Sequence, residues 1–273
     1  MFLHCSNFQL DLSRPLVMGI VNVTPDSFSD GGQHASSAAA IAHAHRLVAD
    51  GADILDIGGE STRPGAAEVG EQEELDRVLP VIEGLRGSSI PISIDTCKPA
   101  VMRAALAAGA SMVNDVNALL AEGALQAVAR SDVAVCLMHK QGNSQTMQQQ
   151  PRYLDVVAEV RDFLRERVAA AEAAGIARDR IVIDPGFGFG KTLAHNLALL
   201  RELDKLGELG VPVLAGLSRK SMLGAITGRD VGDRVAASVA AALIAVQRGA
   251  AIVRVHDVRE TVDALKIWNA INL

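Results

Sequence analysis

The sequence predicts an α/β protein folded as a single (β/α)8 TIM barrel over residues 1–273, with long mobile loops after its first and second strands. Three observations carry that expectation. Short β-branched runs alternate with longer helical patterns along the whole chain, which implies a parallel sheet faced with helices. The strand-helix pairs number eight, and eight pairs in 273 residues favour a closed barrel over an open sheet. The β-rich runs are continuously apolar, as expected of strands buried on both faces.

Taken in order, the first strand is 16–23 and its helix 36–49; the second pair is 54–57 with 71–85, the third 90–94 with 99–107. The fourth strand, 112–113, leads to a helix over 119–129. The fifth, 133–138, reaches a long helix over 154–174 only after a polar, Gln-rich loop. Residues 181–183 precede a helix over 193–206; 211–217 precede 221–226 and 231–246; 251–255 precede 258–271. Gly51, Gly109 and Gly249 each stand between a helical pattern and the next strand, where glycine supplies a left-handed cap. No linker or composition break divides the chain. The longest apolar run, 235–246, is far short of a bilayer span and reads as a buried helix.

Composition narrows the partners. With 49% hydrophobic residues a large core is available, and with 3% aromatics it is filled by Ala, Val, Leu and Ile. A net charge of -6 and a pI near 5.6 argue against nucleic acid or an anionic membrane, so any anionic ligand needs a local basic cluster. Cys5, Cys97 and Cys136 are odd in number and lack metal-ligand spacing, which suits a reduced cytoplasmic setting. Residues 1–10 have neither the basic start nor the apolar run of a signal peptide.

The strand ends carry the chemistry. In order they present Asn22, Asp56 with Glu60, Asp95, Asn114 with Asp115, His139, Asp184, Ser218 with Arg219 and Lys220, and Arg254 with His256. Parallel barrel strands all point one way, so these side chains are expected on one rim, the catalytic face. Each could singly cap a helix or shape a turn, but capping does not ask for Arg219, Lys220, Arg254 and His256 together. Asp184-Pro185-Gly186-Phe187-Gly188-Phe189-Gly190-Lys191 is glycine-rich without being a phosphate cradle. Pro185 stands where a P-loop needs its first glycine, and Lys191 where the dinucleotide fingerprint needs its third.

By residue type, Asp95, Asn114 and Asp184 suit a flat ring with adjacent N–H donors, such as an aminopyrimidinone, and Lys220 offers donors to the ring's carbonyl or nitrogen. Arg254 is able to stack on such a ring or bind phosphate, and His256 to complete an anion site. Thr62 and Arg63 add anion-binding capacity in the second loop, while Asn22 with the loop acids suits Mg2+. Ser221 begins a helical segment whose hydroxyl and N–H groups suit a carboxylate.

These motifs carry a resemblance. Met18-Gly19-Ile20-Val21-Asn22-Val23-Thr24-Pro25-Asp26-Ser27-Phe28, Asp56-Ile57-Gly58-Gly59-Glu60-Ser61-Thr62-Arg63-Pro64-Gly65, the 184–191 stretch, and Ser218-Arg219-Lys220-Ser221 resemble bacterial dihydropteroate synthases. Ser93-Ile94-Asp95-Thr96, Val113-Asn114-Asp115-Val116 and Arg254-Val255-His256-Asp257 do so too, in the same order and at strand ends. The resemblance implies a transferase of folate synthesis, which joins 6-hydroxymethyl-7,8-dihydropterin diphosphate to p-aminobenzoate and releases diphosphate. It implies pterin binding by Asp95, Asn114, Met138, Asp184, Lys220 and Arg254. It also implies that Asn22, Thr62, Arg63, Arg254 and His256 serve the diphosphate, with Asn22 on a Mg2+ cofactor. Phe28, Thr62, Pro64, Phe189, Ser218, Arg219 and Ser221 are implied around p-aminobenzoate, and a homodimer through the later helices. Sulfonamides resemble p-aminobenzoate and are expected to compete with it.

The implied catalytic set is Asp95, Asp184, Lys220 and Arg254, acting by an SN1-like loss of diphosphate without a covalent enzyme intermediate. That route is motivated by the absence of an evident Ser-His or Cys-His pair. Two alternatives share the barrel: a pterin-binding methyltransferase, which has no use for the Ser61-Thr62-Arg63-Pro64-Gly65 loop, and a non-catalytic paralogue, whose loops would be expected to decay.

Overall fold

The computed structural model describes residues 1–23, 32–61, 68–142 and 147–272, with backbone only at 32–36. Its eight central strands are β3 (Leu16–Asn22), β4 (Ile54–Gly58), β5 (Ile92–Asp95), β6 (Met112–Asp115), β7 (Ala134–Met138), β8 (Ile181–Asp184), β9 (Val213–Ala215) and β10 (Ala250–Val255). They form the expected closed parallel barrel, with β10 pairing back to β3. The two strands before them, β1 (Phe2–Cys5) and β2 (Phe8–Asp11), are an addition: an antiparallel hairpin turned at Ser6. The sequence reading assigns no strands to 1–10, because four-residue strands with mixed polarity give no periodic signal.

Alternation explains the barrel wall. Val17, Val21, Leu55, Ile57, Ile94, Val113, Val135, Leu137, Ile183 and Val253 point outward into one large core shared with the helices. Leu16, Met18, Ile54, Met112, Cys136, Val182, Leu214 and Ile252 form a second cluster inside the barrel. Leu3 and Cys5, both fully buried, come from the hairpin to join that inner cluster. The hairpin therefore stoppers the amino-terminal end of the barrel, tied by the Ser6 N–H to the Asp132 carbonyl at 2.9 Å.

The helices are α1 (Gly32–Ala49), α2 (Glu71–Gly84), α3 (Pro99–Ala108), α4 (Ala124–Ala129), α5 (Val156–Ala173), α6 (Leu193–Arg201), α7 (Asp204–Gly207), α8 (Ser221–Thr227), α9 (Val235–Gln247) and α10 (Val258–Asn272). The helix expected over 119–129 begins only at Ala124, because the Asp115 carboxylate accepts the N–H groups of Asn117 (2.7 Å) and Leu119 (2.8 Å). That loop holds Ala118 and Leu119 at positive φ, which a helix does not allow. The segment 193–206 is two helices, α6 and α7, not one. Asp155 caps α5 by accepting from Val157 and Ala158, both at 3.0 Å, so the helix starts there rather than at 154. The caps expected at Gly51, Gly109 and Gly249 are present as positive-φ glycines. Among the described residues no helix is long and apolar enough to cross a membrane.

Candidate active site

The inward-facing positions change character toward the carboxyl end of the barrel. Two residues beyond Ile54, Met112, Val182 and Ile252, on the same face, stand Asp56, Asn114, Asp184 and Arg254. Asp95 joins them beside Asn114, its register partner across β5 and β6. The rim predicted from the strand ends is therefore a ring of charged and amide groups directly above an apolar floor.

Arg254 organises that ring. Its Nε donates to Asp56 Oδ2 at 2.6 Å and its Nη2 to Asp95 Oδ2 at 2.8 Å. Asn114 Nδ2 donates to the same Asp56 oxygen at 3.0 Å. Among the described residues these contacts engage Nε and Nη2 of Arg254. The partners also leave acceptors without donors: Asp56 Oδ1 and Asp95 Oδ1 are buried and have no hydrogen-bond partner among the described residues. Burial pushes the Asp95 carboxyl up to about 7 against the pull of Arg254. Burial also raises Asp184 above the usual carboxylate range, although Lys220 and the Gly186 N–H (2.7 Å) oppose it. Buried acids that lack donors are poised for a ligand that brings N–H groups.

Lys220 meets the 184–191 stretch from β9's side. Its ammonium donates to the Phe187 carbonyl and lies 4.5 Å from the centre of the Phe189 ring, over its face. Burial pulls Lys220 down to about 8, with Asp184 resisting. Phe189 is half-buried beside the site, whereas Phe187 is fully buried and belongs to the core. Met138 is buried at the inner end of β7, opposite Asp184 in register.

Ser218 Oγ lies 3.0 Å from His256 Nδ1 and accepts the His256 backbone N–H at 3.2 Å. This corrects one premise of the sequence reading, since a Ser-His pair is present. The serine and the imidazole close on each other across β9 and β10, a clip between strand ends. The adjacent carboxylate, Asp257, is engaged bidentately by Arg219, at 3.0 Å from Nε and 2.5 Å from Nη2. Arg219 thus spends its fork on Asp257 and sits at positive φ, held by Ser238 Oγ accepting its N–H at 2.9 Å. Ser221 opens α8 and is exposed.

At the other side of the rim Lys98 is gripped by Glu60 and by the fully buried Glu74, the latter at 2.5 Å. This triad anchors the entry to the second loop. Phe28, Thr62, Arg63 and Pro64 lie outside the described residues, as do most of the first predicted loop and half of the second. Asn22 is half-buried at the end of β3. A methyl group on Gly58 would meet Asp95 Oδ2 at 3.8 Å and Asn22 Oδ1 at 4.0 Å, so two oxygen donors converge over that glycine. Among the described residues no group of three or more His, Cys, Asp or Glu side chains could hold a metal. One or two protein oxygens are nonetheless what Mg2+ takes when a substrate phosphate completes its shell.

Sequence reasoning put Asp56 on the rim without giving it a role among the site residues, and gave Lys191 no role either. Parity with Ile54 could have placed Asp56 on the inner face. Lys191 served only to exclude known motifs, and nothing in its neighbours announces burial.

A buried, acid-lined site at the carboxyl mouth of a (β/α)8 barrel is where such barrels bind small molecules, and residues 18–256 match the family described as pterin binding enzyme. The chain belongs to that family. Within it the curated relatives are dihydropteroate synthases: the Escherichia coli K12 enzyme is 50% identical over 271 residues, covering 99% of this chain and 96% of its own. Two solved structures of the Xanthomonas albilineans dihydropteroate synthase match as well. The complex with 4-aminobenzoic acid is 60% identical, with a TM-score of 0.94, covering 99% of this chain and 98% of that one. The complex with 7,8-dihydropteroate is 57% identical, with a TM-score of 0.91, covering 100% and 99%.

Proposed function

We propose that this chain condenses 6-hydroxymethyl-7,8-dihydropterin diphosphate with p-aminobenzoate to 7,8-dihydropteroate, releasing diphosphate. One observation carries the reading: Asp95 Oδ1 is buried at the barrel mouth with no donor among the described residues, beside Asn114 and facing the same interior as Asp184. An aminopyrimidinone edge supplies the missing N–H donors, and family membership with near-complete coverage agrees. A methyltransferase barrel would share those acids but not the Ser218-Arg219-Lys220-Ser221 stretch at the end of β9.

In this reading Asp95, Asn114, Asp184 and Lys220 hold the pterin ring, with Met138 against it. Arg254, His256 and Arg63 neutralise the diphosphate. The C–O bond to the pterin methylene breaks with both electrons leaving on diphosphate, and the ring-delocalised cation is stabilised by Asp95 and Asp184. The p-aminobenzoate amine attacks the methylene and gives up its proton to solvent. Ser218 belongs to the clip with His256, so no protein nucleophile is required. Phe28, Thr62, Pro64, Phe189, Arg219 and Ser221 line the p-aminobenzoate side. Mg2+, held by Asn22 and the substrate, would supply charge neutralisation to the leaving group.

The exposed Ile226, Val231, Ile244, Ile267 and Ile271 on and between α8, α9 and α10 support a homodimer through these helices. Free Cys5, Cys97 and Cys136 suit a cytoplasmic setting. The test is diphosphate release from the pterin substrate, with and without p-aminobenzoate and Mg2+. Release that needs both, is inhibited by a sulfonamide and is matched by dihydropteroate supports the reading; release independent of both, or none, overturns it.

A further inference from the structure

Lys191 is 3% exposed, and its hydrogen bonds go to the glycine-rich loop and to His139. Its ammonium lies 2.9 Å from the Gly186 carbonyl, 3.0 Å from the Phe189 carbonyl, 3.0 Å from His139 Nδ1 and 3.2 Å from the His139 carbonyl. The cation therefore sits between two backbone segments, the glycine-rich loop after β8 and the residues just after β7. Those segments touch so closely that side chains are excluded. A Cβ on Gly186 would lie 2.0 Å from the His139 carbonyl oxygen, and one on Gly190 2.4 Å from that of Gln141. The rest of the loop is tied down as well: Gly188 donates to Asn196 Oδ1 at 2.8 Å, and Tyr153 donates to the Gly190 carbonyl at 2.9 Å.

This loop is what Lys220 rests on, through the Phe187 carbonyl and the face of Phe189. We propose that Lys191 is a positioning residue, whose buried ammonium cross-braces the glycine loop against the end of β7 and so fixes where Lys220 presents its donors. A phosphate loop turns N–H groups toward its ligand; here carbonyls turn toward lysines, and both charges serve the loop's own shape. The neighbours agree with a donor role. Burial and Lys191 push the His139 imidazole down to about 3, so it is neutral and able to accept at Nδ1. Lys191 is itself drawn down to about 7 by burial, with Asp184 resisting and Lys220 assisting.

The assignment rests on the pterin reading, and a double-mutant cycle separates the two. Affinity for 6-hydroxymethylpterin is measured in the wild type, Lys191→Met, Lys220→Met and the double variant. If Lys191 works through Lys220, each single change weakens binding about tenfold, and the double is no weaker than Lys220→Met alone to within about twofold. Losses that multiply, or unchanged affinity in Lys191→Met, overturn the assignment. Tyr153→Phe releases only the outer end of the same loop and is cycled against Lys220→Met alongside. It answers the question should Lys191→Met fail to fold, with non-additive loss expected and additive or absent loss contradicting. A wild type that binds no pterin overturns the underlying reading and the assignment with it.

Discussion

The two ends of the barrel interior are built on the same strands, with the same inward parity, yet they do opposite things. At the amino-terminal end Leu16, Met18, Ile54, Met112, Val182, Leu214 and Ile252 close on Leu3 and Cys5 of the hairpin in a mostly apolar plug, with the buried Ser93, register partner of Met112, a polar side chain on the same inward face. At the carboxyl end the next inward residues include Asp56, Asn114, Asp184 and Arg254, with Asp95 beside them, and the buried Oδ1 atoms of Asp56 and Asp95 have no donor among the described residues. Moving two residues along a strand exchanges packing for unsatisfied polarity. The lower layer gains its free energy from burial, whereas the upper layer spends stability to hold charges ready for a ligand.

Substitutions at the two ends should separate these roles. The largest effect on stability is expected for Arg254→Ala, which strands Asp56 and Asp95 without their cation and should cost about 3–5 kcal/mol in urea unfolding, together with catalysis. Leu3→Ala removes a fully buried plug residue and should cost about 3 kcal/mol while leaving kcat and KM within about twofold of wild type. A large change in KM for that variant would mean that the floor is not independent of the rim. Asp115→Ala tests whether polarity at the rim always means binding. It removes two loop hydrogen bonds, of about 1 kcal/mol each, and should lower stability without weakening pterin binding.

The smallest effect is a slope in pH. The Asp95 carboxyl is held up to about 7, so the folded chain binds this proton more tightly than the unfolded one. Its contribution to stability is present at low pH and is lost as pH rises from about 4 through about 7. Asp95→Asn should flatten that part of the stability profile, with a residue of the slope left by Asp184, which is raised in the same direction. An unchanged profile would show that Arg254 keeps Asp95 ionised throughout.

What the sequence made legible was whatever alternation and strand-end chemistry encode. Eight pairs of runs, and the placing of Asp95, Asn114, Asp184, Lys220 and Arg254 around one mouth, followed from periodicity and from the common direction of parallel strands. What escaped it depends on contacts between distant segments. The hairpin is held by Leu3 and Cys5 reaching into the barrel, which no local pattern in 2–11 signals. Asp56 and Arg254 are 198 residues apart and meet only because β10 closes on β3 beside β4. The late start of α4 follows from one carboxylate, Asp115, winning two N–H groups from a segment with helical spacing. Lys191 entered the sequence reading only as the residue that breaks the dinucleotide fingerprint, and its burial depends on the close backbone approach at Gly186 and Gly190.

The division between plug and rim is tested most directly by calorimetric titration of 6-hydroxymethylpterin into wild type, Asp184→Ala and Leu3→Ala, each compared at equal folded fraction. Asp184→Ala is predicted to lose about 2 kcal/mol or more of binding free energy, roughly thirtyfold in affinity, while Leu3→Ala binds as the wild type does. Unchanged affinity in Asp184→Ala would make that carboxylate a turn-former and nothing more, and an equal loss in both variants would contradict the separation of the two ends.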